Sequence, residues 1–185
     1  MSQHKHIHPA PVSAGRQIAT ALALAGLASF SLPAIAADYV GINDLGASRD
    51  NQDGSGASGS YATSIGTWTK ASGLASTAVG SRANAGAESA VAIGASADAT
   101  GSAAIALGEE SAASANADTA IGRKSKATGG QSTAIGSGAA ASGNLSSAIG
   151  AGSTASGIGS LASGSGASAT AGSATAIGTE AQATA

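Results

Sequence analysis

Few side chains in this sequence could do chemistry. His4, His6 and His8 alternate in the segment HKHIH, which in an extended chain puts three imidazoles on one face, a pattern able to hold a transition metal. No histidine follows them and the chain has no cysteine, so thiolate metal sites, disulfides and a nucleophile paired with a histidine base are absent from everything downstream. Glu88, Asp98, Glu109, Glu110 and Asp118 are the acids of the central region, and they are expected at outward or turn positions as solvated charge. Glu109 and Glu110 are adjacent, so an extended backbone turns them to opposite sides and denies them paired acid and base work. Arg123, Lys124 and Lys126 form the one basic cluster, and Trp68 is the one aromatic in an exposed pattern; these four are the candidate ligand contacts. Three cations without an aromatic platform do not make a nucleic-acid surface. No enzyme, cofactor or resident metal is expected.

The elements that would position these residues are constrained by composition. Aromatic residues make up 2% of the chain and charged residues 10%, with a net charge of −2, while Ala, Gly, Ser and Thr dominate beyond the N-terminus. At roughly 25 cal/mol per Å² an alanine methyl contributes little, so a compact lone globule would struggle to offset the entropy of ordering its backbone. Low charge also argues against the usual disordered composition. Something must multiply the burial.

The N-terminus reads as an address. Lys5 and Arg16 precede an apolar run, Ile18 to Leu32, which ends in Pro33-Ala34-Ile35-Ala36 with small residues at alternate positions. That is the pattern of a secretory signal peptide over residues 1–36, cleaved after Ala36 or one residue later. The run is shorter than the ~20 residues a membrane span needs, so the mature chain is expected to carry no membrane segment. The histidine tract lies inside this leader, which makes a functional metal site there an unsupported reading.

Beyond a lead-in at residues 37–50, the region 51–185 is periodic. Gly66, Gly80, Gly94, Gly108, Gly122, Gly136, Gly150, Gly164 and Gly178 each follow the last by fourteen residues, a series whose chance probability is on the order of 10⁻⁷. Numbering each unit from the residue before that glycine, position 1 is Ile65, Val79, Ile93, Leu107, Ile121, Ile135, Ile149, Ser163 and Ile177. Alanine holds position 7, from Ala71 to Ala183, and position 14, from Ala78 to Ala176. Positions 5 and 9 are small, and 6, 8, 10 and 11 vary.

Strand side chains alternate between faces, so small residues at 5, 7 and 9 share one face of a short strand. A second strand, from position 12 into 2, hides its small residues and turns positions 13 and 1 outward, as with Val91, Ile93, Ile105 and Leu107. Two short strands and two turns per unit stack into a parallel solenoid whose thin interior admits only small side chains. The glycine at position 2 serves either a positive φ or a close backbone approach. The outward ladder of Ile65, Val79, Val91, Ile93, Ile105, Leu107, Ile121, Ile135, Ile149 and Ile177 is an apolar stripe that a lone soluble chain would not display, and sister copies around an axis are the simplest cover. Ser163 interrupts it, predicting a weaker contact at that turn.

The segments Ser89-Ala90-Val91-Ala92-Ile93-Gly94 and Ser132-Thr133-Ala134-Ile135-Gly136 resemble the SVAIG motif of the YadA-like trimeric autotransporter adhesin head, and the resemblance covers about residues 51–185. It implies an all-β, left-handed parallel β-roll with 14-residue turns, homotrimeric, exported to the cell surface or outer membrane of a Gram-negative bacterium, or secreted. It further implies a passive adhesive head that binds host extracellular matrix or another surface ligand. Neck, coiled-coil stalk and membrane barrel patterns are not seen, and the sequence ends inside a unit, so a fragment of a longer reading frame is expected.

Other readings fit less well. An ice-binding or spacer solenoid would want a regular threonine ladder, but position 13 mixes Thr77, Thr119, Thr133 and Thr175 with Val91, Ile105, Ser147 and Leu161. Hexapeptide acyltransferases repeat every six residues and need a histidine base. Calcium-binding toxin repeats need an acid in register. A silk-like fibre through Gly54–Ser60 conflicts with the regular unit.

Overall fold

The computed structural model describes residues 56–185. The leader, the histidine tract and the lead-in lie outside the described residues, as do residues 51–55 of the repeat region. From Thr63 onward the chain winds as a parallel β-solenoid in which each coil contributes one three-residue strand and one two-residue strand. The three-residue strands run from Thr63–Ile65 to Thr175–Ile177 and form one nine-stranded sheet, and the two-residue strands run from Lys70–Ala71 to Gln182–Ala183 and form another. Strand order follows the chain in both sheets and every pairing is parallel, with Val91, Ala92 and Ile93 opposite Ile105, Ala106 and Leu107. The register step is fourteen residues throughout, so each position of the unit stacks on itself.

Strands are shorter than the alternation predicts, covering positions 13 to 1 and 6 to 7. The reason is hydrogen bonding at the corners. Positions 2 to 5 form a β-turn in which the N–H of Ala97 donates to the carbonyl of Gly94 (3.2 Å), and positions 9 to 12 form another in which Ala104 donates to Gly101 (3.2 Å). These bonds withdraw positions 2, 5, 9 and 12 from the strands proper. Each turn places its third residue in the left-handed region, at positions 4 and 11: Ser96 has φ 55° and Ala103 φ 54°. The two turns sit seven residues apart, so each coil is a pair of half-coils. Neighbouring coils stay bonded around the corners too, as where Ser96 N–H donates to Ser81 O at 2.8 Å.

Burial falls on positions 5, 7, 12 and 14, and the core is a cluster of alanines joined by serines. Such small residues let the two sheets approach closely enough that no bulky side chain is needed to fill the space. Several buried hydroxyls close their own turns, Ser76 Oγ donating to Gly73 O and Ser111 Oγ to Gly108 O, both at 2.8 Å, while Ser146 Oγ reaches across to Ala155 O at 3.1 Å and Ser160 Oγ has no partner among the described residues. The glycine at position 2 meets both requirements at once. Gly94 has φ +134°, and a Cβ there would stand 2.5 Å from the carbonyl oxygen of Gly108 in the next coil.

One acid departs from the expected outward placement. Asp118 occupies position 12 and is 0% exposed. Its Oδ1 accepts from Gly130 N–H (3.0 Å), Ser132 N–H (2.9 Å) and Ser132 Oγ (2.8 Å), and its Oδ2 accepts from Ala115 N–H (2.9 Å). A carboxylate presents only acceptors, and here it takes three N–H groups and a hydroxyl from two successive coils, at a position where the other coils carry serine or alanine.

Candidate functional site

The three-residue strands decide which side chains reach the outside. Alanine at position 14 turns inward, which sends positions 13 and 1 outward on the same face. Of the position 1 ladder, Ile93 is 39% exposed and Ile121 36%, with Leu107, Ile135, Ile149 and Ile177 also exposed; Ile65 and Val79 are half-buried. Ile105 joins the exposed group from position 13 and Val91 is half-buried there. Each stacks on its counterpart in the next coil, Leu107 on Ile121 and Ile135 on Ile149, at the ~4.8 Å spacing of paired strands. The result is one apolar ridge along the sheet. At Ser163 the bulk moves two residues back, because Leu161 fills the neighbouring outward position on the same strand.

The candidate ligand contacts scatter instead of converging. Trp68 sits in a corner with φ 55°, and the guanidinium of Arg82, one coil on at the same position, lies 5.3 Å from its ring centroid. Arg82 was not legible as Trp68's partner until the fourteen-residue stack put position 4 on position 4. Lys124 lies in the same row and pairs with Glu110 at 3.6 Å, both side chains half exposed, a contact that solvent screens. Arg123 stands beside it at the corner, while Lys126 lies on the outer side of the two-residue strand Lys126–Ala127. The basic cluster is therefore divided between an edge and a sheet face.

The opposite corner, at positions 10 and 11, carries apolar side chains that the periodicity did not single out. Leu74, Leu145 and Ile158 are all exposed there. No group of three metal-ligating side chains occurs among the described residues, and no helix among them is long and apolar enough to cross a membrane.

A protein-family model described as the YadA head domain repeat, two repeats in length, matches residues 57–83, 71–97, 85–111, 99–123, 113–139 and 141–167. The matched windows start fourteen residues apart through residue 113, the same step as the strand register. No curated protein matches the chain.

Proposed function

Because this chain belongs to the YadA head-repeat family, whose members are trimeric adhesin heads, we propose that it is the adhesive head of a trimeric autotransporter, a passive binding scaffold displayed at a Gram-negative surface. The apolar ridge carries the reading. Eight aliphatic side chains at position 1 stack in one row, and those in the middle of the roll keep 36–41% of their surface exposed. Completing the burial of such a side chain contributes on the order of 0.5–1 kcal/mol, so a ladder of them supplies several kcal/mol per chain, which a parallel threefold assembly collects along its axis. Residues 1–36 fit the same reading as an export leader.

Adhesion then falls to outward positions the ridge leaves free. Arg123 and Lys126 recur three times around the axis, so weak contacts to an extracellular-matrix protein or another surface ligand add up through avidity. Replacing Ile93, Ile121 and Ile135 together by Asp is expected to yield a dissociated or unfolded chain by light scattering and circular dichroism. A stable trimer from that variant would show that the ridge is not the interface. Retention of the unmodified head on immobilised matrix protein, lost when the trimer is dissociated, is the corresponding expectation for adhesion.

A further inference from the structure

With the ridge on a threefold axis, as proposed for this head, the two flanks of the ridge must also find partners, and any contact between them depends on that assembly. In a cyclic trimer the contacts are heterologous, so one flank of each protomer meets the opposite flank of the next. Position 1 is aliphatic in eight of nine coils, whereas position 13 is Thr or Ser in most, so position 1 belongs nearest the axis. The corner at positions 3 and 4 then lies on one side of it and the corner at positions 10 and 11 on the other. Copies related by a pure rotation stand at equal height, so each coil faces the same coil of its neighbour.

The two corners match level by level. In the first coil Leu74 at position 10 is 47% exposed and Trp68 at position 4 is 45% exposed. One coil on, the acid Glu88 stands at position 10 and the base Arg82 at position 4, both exposed. In the seventh coil Ile158, 67% exposed, tips the turn at position 10, while position 4 is Gly152, where an added Cβ would meet nothing within 4 Å. Position 4 bears large side chains in four of the first five coils and is bare glycine in the next three, Gly138 to Gly166, the stretch in which the opposite corner gains its aliphatic tips. Nothing inside a single chain calls for an isoleucine at the point of a turn.

We propose that the two corners are mates between protomers: apolar on aromatic at Leu74 and Trp68, acid on base at Glu88 and Arg82, and Ile158 seated on the bare backbone of Gly152. These contacts fix the vertical register of copies whose axial ladders, being nearly uniform, would tolerate a slip of one coil.

The chain contains no cysteine, which allows a direct test. The whole chain carrying both Gly152→Cys and Ile158→Cys, treated with a short bis-maleimide, is expected to run as a covalent trimer under denaturing conditions. The pair Gly152→Cys with Ser102→Cys, at the same two corners but four coils apart, is expected to give none. A trimer by light scattering that yields no covalent trimer from the first pair would overturn the corner mating and leave the threefold ridge standing. A folded monomer by light scattering would remove both. As a second readout, Glu88→Arg is expected to lower the melting temperature of the trimer and Arg82→Glu added to it to restore much of the loss; absence of rescue counts against the pairing.

Discussion

The alanine at position 7 and the glycine at position 2 are fixed by different forces, and substitutions separate them. Gly94→Val would drive a side chain into the Gly108 carbonyl from a backbone at φ +134°, which only glycine adopts without strain. Loss of about 2–4 kcal/mol is expected, read as a large fall in the thermal midpoint by circular dichroism. Gly138→Ala is the contrasting case: φ +68° with open space around the Cβ costs about 1 kcal/mol in the native state, partly offset by a less flexible unfolded chain, so the midpoint should barely move. Equal effects from the two would refute the close approach at position 2. Asp118 is held by donors alone. Asp118→Ala strands three backbone N–H groups and a hydroxyl in the interior and is expected to cost about 3 kcal/mol or more in urea unfolding. Asp118→Asn should cost less, because one carbonyl oxygen can keep the three bonds now made by Oδ1.

The structural element here is the coil, and its integrity lies in fourteen-residue register. Neighbouring coils touch only each other, so the stability of the array is close to a sum of coil and interface increments. Deleting residues 94–107, which joins Ile93 to Gly108, removes one whole coil and preserves the stacking of every position on itself. Such a variant is expected to retain β-sheet circular dichroism and lose only the share of one coil. Deleting residues 94–106 instead leaves Leu107 as an extra residue after Ile93, so the coils on either side keep their own register but cannot stack on each other across the cut without a bulge, and this variant is expected to be less stable than the whole-coil deletion. If the two deletions behave alike, the coil is not the unit of packing.

For the whole molecule, the balance of forces is unusual in that the interior is made of methyl groups and hydroxyls while the larger aliphatics face out. Interior burial therefore stabilises each coil weakly, and the inter-coil hydrogen bonds together with whatever covers the ridge supply the remainder. Replacing Ser163 by Ile would extend the position 1 ladder past its single interruption. Under the trimer reading its thermal midpoint is expected to rise, by a few degrees for each kcal/mol gained, and to depend on protein concentration. A drop in midpoint would show that the shift of bulk from Ser163 to Leu161 is required by the assembly.

The sequence by itself determined the coil length, the inward alanines at 7 and 14, the outward ladder and the family, because a one-dimensional repeat stacks identical positions and so writes its own contact map along the chain. Tertiary structure alone decided what each corner does. Left-handed backbone at positions 4 and 11 is occupied by Trp68, Ser96 or Leu145 as readily as by glycine, so composition hid the two turns of each coil. Asp118 looked like surface charge, since nothing in its neighbours' identities announces that three backbone N–H groups converge on one buried point. The rows at position 4 and the apolar tips at positions 10 and 11 likewise became visible only when winding brought residues fourteen apart side by side and set the two corners on opposite flanks of the ridge.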